Sequence, residues 1–197
     1  MVVVDDGSAD ATGEYALQAG AHVVRHPVNL GQGAAIQTGV EYARSWPSAQ
    51  IFATFDADGQ HQVSDVVAMV DRLRTEDLDI VVGTRFATAP SDRMPMLKRI
   101  LLPIVAKLSP ASRHLGLTDA HNGLRVFNRR VAEGLNLTMN GMSHASEFVA
   151  LISENYWRVA EQPVHILYTD YSMSKGQPLL NGVNIIFDGL LRRRLRR

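Results

Sequence analysis

This sequence predicts an α/β fold: an open, mostly parallel sheet flanked by helices. Three observations lead there. Short apolar, β-rich runs alternate with helical patterns through the first half. Acidic residues follow the first and third of those runs, at the strand ends where open α/β sheets bind ligands. No repeat or low-complexity linker divides the 197 residues, a length that suits one domain over 1–197 with a sizeable core.

Taken in order, the first strand is expected at 2–4, with a helix near 11–19. A second strand at 22–25 precedes a helix near 33–44, and a third run at 51–55 precedes a helix near 63–73 whose apolar positions recur at helical spacing. A further strand is expected at 79–83. Strand and helix taking turns in this way point to parallel pairing. The second half is less regular: a helix near 97–108, a loop near 117–123, a helix near 145–155 and a strand near 159–168. The segment 179–197 reads as a basic amphipathic helix, with Ile185, Ile186, Leu190 and Leu191 close to one face. The sequence opens inside a strand, four residues before an acidic loop, so the expected sheet lacks an N-terminal strand.

Lys and Arg total 20 and so do Asp and Glu, which gives no general attraction to nucleic acid. The balance hides a basic C-terminus, GLLRRRLRR. With no cysteine, disulfides, thiolate metal sites and cysteine nucleophiles are excluded. Neither a secretory signal nor an apolar run long enough to span a bilayer is expected, so work at a membrane would mean lying on its surface.

The chemistry concentrates after the third run, in DADGQH, 56–61. Asp56 and Asp58, one residue apart in a loop, can both approach one hard cation, and Gln60 adds a neutral oxygen. Oxygen donors of this kind suit Mg2+ or Mn2+. Such a cation would bridge a diphosphate and offset the charge on it as it leaves. The same composition also makes an ordinary turn. His61 could ligate too, although the acidic, glutamine-bearing set favours hard cations.

DDGSAD, 5–10, occupies the corresponding place after the first strand. Its carboxylates could accept from a ribose or base edge, or Ser8 or Asp10 could cap the following helix. NLGQGAA, 29–35, lacks the Lys-Ser/Thr of a phosphate loop, and a tight helix start is the better reading. Arg85, Lys98, Arg99 and Arg125 are separated cations suited to phosphate oxygens, or else solvated surface groups. Glu147 could be a general base, orient a hydroxyl, or answer a helix dipole.

Together VVVDDGSADAT, HPVNLGQGAAIQTG, TFDADGQH, IVVGTRF, TDAHNGLRVFNRR and YSMSKG resemble the family 2 glycosyltransferases. The similarity lies nearest the branch of dolichol-phosphate mannosyltransferase and polyprenyl-phosphate glycosyltransferases. The resemblance implies a GT-A fold (Rossmann-like, of the nucleotide-diphospho-sugar transferases), a nucleotide-sugar donor of UDP-glucose or GDP-mannose type, a divalent cation, a lipid-phosphate acceptor and inversion. It makes Asp5 a nucleoside contact and Asp56, Asp58 and Gln60 the diphosphate and metal group. Arg85 and Arg99 become phosphate contacts, while Asn122, Gly123 and Arg125 shape the sugar and acceptor site. Glu147 falls where relatives with hydroxyl acceptors keep a base. Two departures stand out: Gln32 where the family usually has Lys, and DAHNGLR where it has a sequence resembling DTQSGFR.

Other readings are a sugar-hydroxyl acceptor, a magnesium-dependent phosphohydrolase and a non-catalytic sugar-nucleotide binder. The phosphohydrolase would carry Asp-x-Asp on its first strand, not the third. A nucleotidyltransferase would need a lysine-bearing glycine loop at the first strand, which is not seen. The C-terminal helix, with Arg192, Arg193, Arg194, Arg196 and Arg197, resembles an interfacial anchor to anionic lipid. The expectation is thus a peripheral protein on the cytoplasmic face of a membrane, binding no nucleic acid.

Overall fold

The structure, a computed structural model, describes residues 1–85, 114–119, 122–141 and 143–167. The helices expected at 97–108 and 179–197, with Lys98 and Arg99, lie outside the described residues.

The described elements are β1 (Val2–Asp5), α1 (Thr12–Gln18), β2 (His22–Arg25), α2 (Gln32–Arg44), β3 (Ile51–Thr54), α3 (Val63–Thr75), β4 (Ile80–Thr84), β5 (Arg125–Asn128), α4 (Arg129–Gly134), α5 (His144–Glu154) and β6 (Val159–Pro163). β1 and β2 form a parallel pair. The other four strands form a sheet in the order β3-β5-β4-β6. There β4 and β6 are parallel, and β5 runs antiparallel to both β3 and β4. Three strands of this sheet therefore point one way and β5 the other, so the expected direction holds with one reversal. β5 was not expected at all.

The pleat explains the core. Along β4 all five residues, IVVGT, are buried, the continuous apolar run of a strand covered on both faces. Ile80 and Val82 face one side, where they join Phe52, Phe127, Val131, Phe148 and Ile152 beneath α2, α4 and α5. Val81 and Val126 face the other, with Met69 and Leu73 of α3. Phe52 stacks on Phe127 at 5.9 Å, and Phe148 meets Phe127 edge-on at 6.0 Å. Each such ring contributes about 1.5–3 kcal/mol by burial. β1, β2 and α1 form a thinner layer, and α1 has no buried residue.

Helix starts follow local chemistry. Asn128 caps α4, its side chain accepting from Val131 N–H. At α1 the N-cap position is Ala11, whose side chain makes no bond, and Ser8 does not cap the helix. Asp10, one residue before it, accepts the Thr12 N–H at 3.1 Å and so takes up a free donor of the first turn.

Candidate active site

Three stretches converge at the carboxyl end of β3. Asp56 lies in the loop leaving β3, Gln32 is the first residue of α2, and Gly123 and Arg125 stand where the chain enters β5. Because β5 is reversed, its first residue faces the last of β3: Arg125 pairs with Thr54. The Thr54 hydroxyl donates to the Gly123 carbonyl at 2.7 Å and ties the two stretches together.

Asp56 is gripped from several sides. Gln32 Nε2 donates to its Oδ1 at 2.9 Å, and His61 Nε2 stands 3.7 Å from its Oδ2. A Cβ on Gly123 would overlap that same Oδ2, so glycine here leaves the carboxylate its present position. Arg125 is wholly buried, its guanidinium 4.7 Å from the centroid of the Phe148 ring. Burial lowers its pKa to about 10 while Asp56 and Asp119 act the other way, so it stays cationic at neutral pH. Burial opposes ionisation of Asp56, but His61, Arg125 and the Gln32 amide outweigh it and hold the carboxyl below its ordinary value.

Asp58 shapes the loop itself. Its Oδ1 accepts the Gln60 N–H at 3.0 Å around Gly59, whose φ is 75°. The Gln60 carbonyl accepts from Leu167 N–H at 2.9 Å. Among the described residues no group of three or more His, Asp or Glu encloses a cation alone. The donor set nevertheless fits Mg2+ or Mn2+, which commonly take one or two carboxylates and complete their shell with phosphate and water.

A second web lies beside the first. Arg85 makes a bidentate pair with Asp119, Nε to Oδ2 at 2.7 Å and Nη2 to Oδ1 at 3.0 Å. Glu161 of β6 accepts the N–H groups of Thr118 and Asp119 at 2.6 and 2.8 Å. Asn122 is buried, and its Oδ1 accepts Leu124 N–H at 3.0 Å. Asn122 therefore braces the loop that carries Gly123.

Several expected contacts have inward-facing roles. Asp5 is buried; its Oδ1 accepts Ser8 N–H at 2.9 Å, and Arg25 Nε lies 3.5 Å from its Oδ2. Its Oδ1 anchors its own turn, while its buried Oδ2 makes no hydrogen bond. Glu147 accepts from Thr138 N–H, Met139 N–H and the Thr138 hydroxyl at 2.9, 2.8 and 2.6 Å. Its oxygens hold a loop, which is not the setting of a free base. Gly33 N–H donates to Asn140 O at 2.7 Å, and a Cβ at Gly31 or Gly33 would overlap the backbone of 139–140. NLGQGAA is accordingly a close-packed helix start. Asp6, within the DDGSAD segment, is held by a web the sequence did not disclose: His26 bridges it to Thr38, Nδ1 at 2.7 Å and Nε2 at 2.9 Å, and its carboxylate accepts Leu30 and Gly31 N–H.

The sheet, with an Asp-x-Asp loop and a buried arginine at its carboxyl edge, defines the class: a GT-A nucleotide-sugar transferase fold. A family model described as glycosyl transferase family 2 matches residues 1–135, and the chain belongs to that family. A protein of uncharacterised function from Methanocaldococcus jannaschii is 35% identical over 190 residues, covering 95% of this chain and 78% of the relative. A UDP-N-acetylglucosamine–dolichyl-phosphate N-acetylglucosaminyltransferase from Methanococcus voltae is 26% identical, covering 95% of this chain and 82% of the relative. Among solved structures, glucosyl-3-phosphoglycerate synthase from Mycobacterium tuberculosis, in complex with Mn2+, uridine diphosphate and glucosyl-3-phosphoglycerate, matches with a TM-score of 0.70. Its identity is 18%, over 96% of this chain and 65% of that one, a likeness of fold.

Proposed function

We propose that the protein transfers a hexose from a nucleotide-diphosphate sugar, of UDP-glucose or GDP-mannose type, to a polyprenyl or dolichyl phosphate with inversion at the anomeric carbon. The observation that carries this reading is the convergence of Asp56, Gln32, Gly123 and Arg125 at the edge of β3. Asp56 and Asp58, with Gln60, would hold Mg2+ or Mn2+. When bound, the cation offsets charge on the departing diphosphate. Arg125 adds a fixed positive charge behind Asp56, in a setting where preorganised charge counts for more than in water.

The acceptor oxygen forms the new bond to the anomeric carbon as the bond to the diphosphate breaks on the opposite face. A phosphate oxygen is already ionised near neutral pH, so the step needs no general base, and positioning supplies most of the acceleration. The engagement of Glu147 by Thr138 and Met139 agrees with that and favours phosphate over a sugar hydroxyl. Arg85, Arg99 and Asn122 remain our proposed donor-side residues, Arg85 and Asn122 through the loop they brace. The relative from Methanococcus voltae and a dolichyl-phosphate β-glucosyltransferase from Trichomonas vaginalis carry dolichyl phosphate in their names, which supports a lipid acceptor here. So do the exposed apolar side chains of Phe55, Val63 and Leu167 beside the Asp56–Gln60 loop. Among the described residues no helix is long and apolar enough to cross a membrane. We place the protein peripherally on the cytoplasmic face, held by the basic segment 179–197.

Calorimetric titration of UDP-glucose, UDP-N-acetylglucosamine and GDP-mannose, with Mn2+ and then EDTA, tests the donor site alongside Asp58→Ala. Binding that needs the cation and is lost in the variant is expected, with a loss of about a thousandfold in transfer to a polyprenyl phosphate. Cation-independent binding, or an unaffected variant, would sink the reading. Flotation with anionic but not neutral vesicles, weakened by salt, is expected for the membrane contact; no flotation with either refutes it.

A further inference from the structure

We infer that Gln32 is a positioning residue for the cation site: it aims the Asp56 carboxylate and does so without adding charge. This rests on the donor-site reading above. Gln32 is the first residue of α2, following Gly31, whose φ of 97° turns the chain into the helix. Its Nε2 donates to Asp56 Oδ1 at 2.9 Å across a separation of 24 residues. Gly123 leaves room for the other oxygen, so the carboxylate plane is set from both ends. Hydrogen bonds to a ligating carboxylate orient it, and losing one commonly weakens metal affinity about 10–100-fold.

The grip is itself braced. Asn140 O accepts the Gly33 N–H at 2.7 Å, next in sequence to Gln32. Gln37, one turn further along α2, accepts Leu137 N–H at 2.9 Å. Glu147 in turn holds Thr138 and Met139. The segment 137–140 is thus pinned at one side to α2 and at the other to α5. Through it Glu147 reaches Asp56 as support for the start of α2, a role that needs no proton transfer.

Charge decides why an amide suits this place. Around Asp56 stands the buried cation Arg125, which Asp119 also faces, and His61 lies 3.7 Å from Oδ2. A lysine at position 32 would add a further positive charge, leaving less negative charge for a divalent cation. An alanine would keep the charge but release the carboxylate.

Mn2+ binding followed by electron paramagnetic resonance, with and without UDP, tests this on Gln32→Ala, Gln32→Lys and Asp58→Ala, with thermal melting as the control on folding. Both Gln32 variants are expected to melt like the parent and to bind Mn2+ at least about tenfold more weakly. Gln32→Lys should in addition keep more UDP binding in EDTA than Gln32→Ala does. Affinities within twofold of the parent in both, with Asp58→Ala impaired, would overturn the role of Gln32 and leave the donor site standing. Unaltered Mn2+ binding in Asp58→Ala would overturn the site, and this inference with it.

Discussion

Two aspartates at opposite ends of one sheet show what separates an acid committed to the fold from one with acceptor capacity to spare. Asp79 precedes the amino end of β4 and is 1% exposed. Its Oδ2 accepts Arg158 N–H at 2.9 Å, its Oδ1 accepts Asn128 Nδ2 at 3.0 Å, and Arg130 Nη1 lies at 3.4 Å. Asp56 follows the carboxyl end of β3, with a side chain 34% exposed and one close amide partner. Burial opposes ionisation of both, and in both the surrounding donors and cations outweigh it. The difference is acceptor capacity. At Asp79 it is used within the protein, where it joins α4, β4 and β6; at Asp56 part of it faces outward, where the proposed cation would bind.

The sharpest way to break this comparison is Gly123→Ala. The added methyl collides with Asp56 and turns its carboxylate, and metal-dependent donor binding should fall by about a hundredfold, measured by calorimetry. Little change would mean that the orientation of Asp56 is immaterial. Next comes Asp79→Ala, which strands the Asn128 amide and the Arg158 N–H. It should destabilise by about 2–3 kcal/mol, seen as a melting temperature lower by roughly 5–10 °C. Donor affinity in the folded variant should be unchanged. The smallest effect concerns acid. A carboxylate whose folded pKa is depressed stabilises fully above its unfolded value near 4, and that contribution is lost as pH falls through the folded value. Urea denaturation at pH 7 and near pH 3 should therefore show Asp79→Asn losing less stability on acidification than the parent; equal losses would remove Asp79 from the account.

Much of the fold was legible because its signals are local. The alternation through 84 residues, the Asp-x-Asp after β3, and the helix and strand of α5 and β6 all announce themselves within a short window. β5 does not. RVFN is four residues long and earns its strand only by pairing with 51–54 and 80–82, far earlier in the chain. The site divides in the same way. Asp56, Asp58 and Gln60 could be proposed from spacing, whereas the hold of Gln32 on Asp56 and of Arg85 on Asp119 depends on which loops meet. Glu147 shows the converse: its residue type suits catalysis, but nearby backbone N–H groups had first claim on its oxygens.

The position of β5 has a consequence for how the chain is made. β3 and β4 are not neighbours; they are joined only through a strand that begins at residue 125. During synthesis these two strands leave the ribosome with an unfilled place between them, and at about 5–20 residues per second the missing piece follows only after a few seconds. For that interval the sheet cannot close. The apolar faces of Phe52 and Ile80 must wait for Phe127, and the nascent chain is then most open to chaperones and to pairing with a wrong strand.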